Sequence, residues 1–320
     1  MTKFAGRRGQ LGIAVESSRG TPVNPTFWVP RVTMSFKDEV EEVREEQSMG
    51  VIADNDSKYV VQKRGAGEIE CQLYDKALGA ILTGVIGASP STSGSNPYTH
   101  TYTLANTNQH KSCSLYFKDP DRSDMYPLGM VDSFQVSVET NGLVNYTVGF
   151  MSKTAREWTS QTPNLTSLGS KYTHQNLQFR LASSVAGLSA ATAISLKKLE
   201  LNISKNTMFD SVMGTVEPED ILNQQLSVEG SLELNLEDDT YRDYMLAGTY
   251  RAMEIKLLIS SSASLTLQFP RVDFSEWEPD YALNEIAKQK INFKCNYDAA
   301  NALDIISTCT LVNAQAGGSY

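Results

Sequence analysis

The chain alternates. Short runs place an apolar residue at every second position with a polar one between: Ile69-Glu70-Cys71-Gln72-Leu73, Phe134-Gln135-Val136-Ser137-Val138, Leu199-Glu200-Leu201-Asn202-Ile203, Leu232-Glu233-Leu234-Asn235-Leu236, Leu265-Thr266-Leu267-Gln268-Phe269 and Ile291-Asn292-Phe293-Lys294-Cys295. A period of two marks strands with one dry face and one wet face, the arrangement of antiparallel sheets. The pattern predicts a mainly β fold. Asn141-Gly142, set between two such runs, predicts a hairpin with a type I′ turn.

Two short helices interrupt the strands. The first is expected near Asp75 to Thr83, with Leu73, Ala77, Leu78, Ile81 and Leu82 on one face, Asp75 as cap and Gly84 as stop. The second is expected near Asp239 to Ala247, with Asp238 as cap and Gly248 as stop. The two regions read as copies. Gly67 and Gly230 begin matched strand runs (230 − 67 = 163), Gly84 and Gly248 close the helices (248 − 84 = 164), and Gly50 and Gly214 lie upstream (214 − 50 = 164). Three anchors in one order at nearly one offset predict a duplicated fold. The expected division is a first domain with its N-terminal arm over 1–155, a Ser/Thr/Gly-rich linker with the strand Leu177 to Leu181 over 156–195, and a second domain over 196–320.

Chemistry is sparse. The three histidines, His100, His110 and His174, form no metal-binding spacing, and there is no nucleophile elbow or phosphate-binding loop. No catalytic residue, metal site or cofactor is expected. Asp38, Glu39, Glu41, Glu42, Glu45 and Glu46 crowd too closely for a pocket and read as a solvated segment. The three tryptophans, Trp28, Trp158 and Trp277, read as dispersed packing residues. A formal net charge of −9 argues against a groove that grips nucleic acid. No apolar run reaches the ~20 residues of a membrane span. Residues 1–10 are polar and basic, so no secretory leader is expected and the chain should fold in a cytoplasm. The cysteines Cys71, Cys113, Cys295 and Cys309 are then expected as buried free thiols.

The order of features suggests a family. Leu11 to Pro22 leads into Phe27-Trp28-Val29-Pro30, a strand over Val32 to Val40, an acidic loop, the run from Gly67 and a short helix. This order, with the duplication, resembles the major tail tube proteins of bacteriophages with long non-contractile tails, in the group whose chain carries the tube fold twice. The resemblance spans about Gly6 to Asn313. It implies two tandem tail-tube-type β-sandwich or barrel domains, each flanked by one short helix. It further implies trimeric, pseudo-hexameric rings stacked into a hollow virion tube through which double-stranded DNA passes without specific binding. Partners would be further copies of the chain and the tape-measure, terminator and tail-tip proteins, with no membrane.

On that reading the wet strand faces are candidates for the lumen wall: Glu70, Gln72, Gln135, Ser137, Glu139, Asn145, Thr147, Glu200, Asn202, Glu233, Asn235, Asn292, Lys294 and Asn296. A wall poor in cations would let phosphates slide past. The long segments Glu41 to Arg64 and Lys205 to Gln225 are candidates for contacts between stacked rings, through Glu41, Glu42, Glu45, Glu46, Asp54, Asp56, Asp210, Glu217 and Glu219. The last connection, Asp273 to Lys288, reads as longer than the Asn-Gly turn, so the halves need not give equivalent hairpins. Two other readings stay open: another virion β-sandwich, such as a tail terminator or capsid decoration protein, and a carbohydrate-binding module or β-barrel hydrolase. The missing catalytic set and the lack of clustered aromatics count against the last two.

Overall fold

A computed structural model describes residues 3–52, 57–165 and 168–320 and is mainly β. The first half contains β1 (Gln10–Val15), β2 (Phe27–Val29), β3 (Arg31–Met34), β4 (Lys37–Arg44), β5 (Lys58–Gln72), α1 (Leu78–Ile86), β6 (Ser91–Gly94), β7 (Tyr98–Tyr102), β8 (Cys113–Lys118), β9 (Ser123–Glu139), β10 (Asn145–Ser152) and β11 (Arg156–Glu157). The second contains β12 (Leu177–Ala182), β13 (Lys198–Ser204), β14 (Met208–Asp210), β15 (Asp220–Leu222), β16 (Ser227–Asn235), α2 (Thr240–Ala247), β17 (Arg251–Ser260), β18 (Ala263–Asp280), β19 (Lys288–Asn296) and β20 (Thr308–Asn313).

The duplication is written in the pairing. In the first half β1 pairs β8, β8 pairs β9, β9 pairs β10, β10 pairs β5, and β5 pairs β3 and β4. In the second β12, β17, β18, β19, β16 and β13 follow in the same order. Phe150 opposes Gly67 as Phe293 opposes Gly230. Asp132 is the residue skipped by the β-bulge of β9, and Ser275 is the one skipped in β18. The offset between these bulges is 275 − 132 = 143, twenty less than the 163 of the glycines. The first half carries the extra hairpin β6–β7 between its helix and β8, which accounts for the drop.

Several expected details change. Gly84 does not stop the first helix; α1 continues to Ile86, and Gly87 caps it at φ 87°. The residues Leu78 to Ile86 are all buried, so nothing polar ends the helix earlier. Asp75 does not cap α1; its carboxylate accepts from the Ser170 N–H at 2.8 Å. In α2 the N-cap position falls to Asp239, and Asp238 just before it accepts from the Thr240 N–H at 3.0 Å; Gly248 ends the helix as expected. The hairpin at Asn141 is not type I′. Its turn closes from the Gly142 N–H to the Glu139 carbonyl, and only Asn141 of the Asn-Gly pair has positive φ, at 66°. The second half repeats this turn: the Glu285 N–H donates to the Ala282 carbonyl, and Asn284 has φ 70°. Asp273 to Lys288 is therefore no long connection. β18 runs to Asp280, paired with Lys288, and the two hairpins match residue for residue.

Each half is a two-layer sandwich because β9 and β18 are long enough to serve both layers. The early part of β9 pairs β8 and its later part pairs β10. One continuous core, including Phe134, Val148, Ile203, Leu232 and Phe293, fills the space between layers across both halves. The four cysteines are buried and free, as the alternation predicts. Two histidines are buried, His100 within β7 and His110 ahead of β8 with its ring against Gly87 at the end of α1. The tryptophans are not all dispersed, since Trp158 packs on the cluster of Trp28, Tyr116 and Met125.

The halves are joined twice. β20 pairs both β18 and β7. β13 of the second half pairs the later part of β9 in the first. Lys205, just past β13, is driven into the first half, where it is 1% exposed and donates to the Gly84 carbonyl of α1 at 2.7 Å. Burial pushes its amine down to about 7. The charged form is disfavoured in the fold, so its cost is full below pH 7 and fades as pH rises toward the ordinary lysine value. Lys205→Met is expected to be more stable than wild type at pH 6 in urea unfolding. The gap should shrink by about 2 kcal/mol between pH 7 and 8.5. A constant gap would show that Lys205 stays charged.

Candidate functional surface

The joint between β13 and β9 makes one sheet of two. Its strand order is β3/β4, β5, β10, β9, β13, β16, β19, β18, eight positions drawn four from each half. One face carries the apolar residues of the alternating runs and is buried in the core. The other is polar, and the register sets its residues in rows that cross both halves.

One row runs Glu70, Thr147, Gln135, Asn202, Glu229, Lys294, Asp273. The next runs Gln72, Asn145, Ser137, Glu200, Ser231, Asn292, Glu276. A third runs Glu139, Lys198, Glu233, Lys290, Glu278, alternating in sign along its length. Asn235, Lys288 and Asp280 start a fourth. Asn296 lies one step beyond Lys294, opposite Arg271, and bonds Asp273. All fourteen residues proposed from the sequence for the wall thus share one face.

Lys198 lies 2.9 Å from both Glu139 and Glu200, and these carboxylates hold its amine above the ordinary lysine value. Glu70 accepts from the Thr33 hydroxyl at 2.9 Å. Asn292 bonds Glu276 across the strands. The four rows hold nine acids (Glu70, Glu139, Glu200, Glu229, Glu233, Asp273, Glu276, Glu278, Asp280) and four lysines (Lys198, Lys288, Lys290, Lys294), so 4 − 9 = −5. The acids of β18 were missed in the sequence because that stretch reads as a loop. The missed Lys288 and Lys290 continue the alternation of Asn292 and Lys294, which was signal enough to find them.

The two segments expected between rings are not alike. Glu41 and Glu42 lie in β4, which with β5 forms a projecting hairpin, and Glu45 and Glu46 follow at its end. This arm exposes Val40, Val43, Tyr59 and Val61. The segment Lys205 to Gln225 folds into the hairpin β14–β15 and packs back on the first half. Glu217 is held by Thr154 and Arg156, Asp220 by Arg19, and Ile221 is buried against Leu128 and Met130. Asp210 opposes Asp220 across this hairpin, and the Glu219 N–H donates to the Asp210 carbonyl at 2.8 Å. Asp54 and Asp56 lie outside the described residues.

Among the described residues, neither β3/β4 nor the later part of β18 has a second strand beside it. Open edges are pairing templates, and this sheet presents one at each end. A duplicated sandwich with one dry face, one polar face and two open edges has the makings of a structural subunit, since each open edge is a template for a further strand. Residues 6–299 of the 320 match the phage tail tube protein family, and the chain belongs to it. No curated protein matches the chain. Membership makes it a structural component of a virion tail, working in association with copies of itself and with other tail parts.

Proposed function

We propose that three copies close into a ring whose inner wall is the polar face of the shared sheet, and that rings stack into the tube through which DNA leaves the virion. The observation that carries this is the internal joint. β9 of one half already pairs β13 of the next, and the two free edges, β18 and β3/β4, are the duplicates of those same strands. Repeating the joint from copy to copy is a head-to-tail contact, and it closes when rotation returns to the start. Three copies of eight strand positions give 3 × 8 = 24. At about 4.8 Å per strand and a tilt of about 40°, the barrel is roughly 48 Å across at the backbone. Two copies would make a barrel of porin size.

The wall, at −5 per chain, repels phosphates while its lysines are set beside acids in the rows, so duplex DNA passes without being gripped. The β4–β5 arm, with Glu41, Glu42, Glu45 and Glu46, is suited to contact the next ring. Asp210, Glu217 and Glu219 lie on the folded-back hairpin and support such a contact only from its base. Tape-measure, terminator and tail-tip proteins would meet the tube at its lumen and ends. Negative-stain microscopy of the concentrated full chain tests the reading: rings or tubes support it, and a chain that stays monomeric at every concentration sinks it.

A further inference from the structure

The internal joint fixes more than the existence of a contact; it fixes its register. In that joint Gln135 opposes Asn202 and Val138 opposes Leu199. The Thr140 N–H donates to the Lys197 carbonyl at 3.1 Å. The matched bulges and turns carry β9 onto β18 by adding 143. The pairings with β5 and β16 carry β13 back onto β3/β4 by subtracting 165, since Lys198 opposes Glu233 where Thr33 opposes Glu70. Gln135 and Asn202 then become Glu278 and Lys37. Val138 and Leu199 become Tyr281 and Met34. Thr140 becomes Leu283, and Lys197 falls at the bulge of β3, where Val32 is the residue skipped between Arg31 and Thr33.

These three pairs of counterparts fit in chemistry, although the same register also sets Glu276 against Glu39. Glu278 and Lys37 are opposite in sign. The other four residues are large apolar side chains exposed on the single chain: Tyr281 is 66% exposed, Leu283 91%, Met34 36% and Val32 52%. The internal equivalents of Tyr281 and Met34, Val138 and Leu199, are 3% and 1% exposed within the core, while those of Leu283 and Val32, Thr140 and Lys197, meet through a backbone hydrogen bond. Pro279, the counterpart of Val136, offers no N–H, so the seam has one backbone bond fewer than the internal joint.

We propose that neighbouring copies join in this register, and that an apolar clasp of Tyr281 and Leu283 on Met34 and Val32 closes the rim of the seam. The proposal rests on the ring reading and adds its residue-level geometry. Burying these four side chains supplies adhesion that the shortened hydrogen-bond ladder lacks.

The test is a double-cysteine variant, Lys37→Cys with Glu278→Cys, in the full chain. In the internal joint the equivalent pair is of the non-hydrogen-bonded kind, with Cα atoms about 4.5 Å apart, within disulfide reach. The four native thiols are buried and stay out of the reaction. Under mild oxidant this variant is expected to form closed covalent multimers at least tenfold more than Lys37→Cys with Glu276→Cys, two positions out of register. Leu283→Asp, at an exposed position, should melt like wild type and assemble at least tenfold less. Assembly by light scattering without the in-register crosslink, or undiminished assembly of Leu283→Asp, overturns the clasp and leaves the ring. No assembly of any variant or of wild type overturns both.

Discussion

Gly230→Ala is expected to leave almost no folded chain in solution. Gly230 is in the middle of β16, with β13 on one side and β19 on the other. A Cβ there would sit 2.1 Å from the Glu200 carbonyl oxygen and 2.6 Å from the Phe293 ring. The first contact is with backbone in the strand that joins the two halves, so no rotamer change relieves it. Moving β13 away opens the pairing to both β16 and β9. Strain plus lost pairing of more than about 4 kcal/mol takes from a quarter to most of a margin of about 5–15 kcal/mol, and opening β13 exposes strand edges that draw the chain into aggregates. The twin position behaves alike: a Cβ on Gly67 would lie 2.5 Å from Phe36 Cα, at a φ of 141° that side chains avoid. Gly6→Ala, with open space around it, is the control and should stay within about 0.5 kcal/mol of wild type. Soluble yield and thermal melting read the result, and a Gly230→Ala chain that melts like wild type would refute the strand contact.

The same glycines explain how much of the fold was legible. Gly67 and Gly230 anchor a repeat in sequence because both sit where the sheet admits no side chain, and the structure superposes them strand for strand. Gly84 and Gly248 align equally well as letters but not as structure. Gly84 is inside α1, where close packing against Val131 requires a glycine, while the helix end falls at Gly87. A single sequence does not separate a glycine needed for packing from one needed for a turn. That these polar residues share one face was legible because alternation states which side of a strand is wet. What alternation does not state is the order of strands, and only that order puts Glu70 and Asp273 at opposite ends of one row. The acids Glu276, Glu278 and Asp280 escaped for another reason. They lie on an edge strand whose outward neighbour is missing from the single chain, so the apolar signal between them, Trp277 and Pro279, is weak. The folding back of segment 205–225 was not legible because its burial depends on the other half: Ile221 reads as any loop isoleucine until Leu128 and Met130 are placed beneath it.

Reversing three charges of the wall should turn a tube that ignores DNA into one that holds it. In Glu70→Lys/Glu200→Lys/Glu276→Lys each chain changes by +6, from −5 to +1, and a ring of three from −15 to +3. Assembly should survive. Glu70 and Glu276 face Thr147 and Asn292 across their strands, and Lys198 keeps Glu139 when Glu200 is lost. In the seam register Glu276 would face Glu39 of the next copy, so the reversal removes a like-charge contact there. Exposed pairs of this kind cost at most about 1 kcal/mol each. Binding to phosphates releases counterions, so tubes of the variant should retain short linear duplex near 50 mM salt and lose about a thousandfold in affinity by about 200 mM. Wild-type tubes should leave the same duplex in the supernatant. Closed circular DNA separates an inner wall from an outer surface, because a circle cannot thread a tube. If the polar face lines the lumen, the variant retains linear fragments and releases circles. Equal retention of both would put these rows on the outside and reverse the proposed orientation of the sheet.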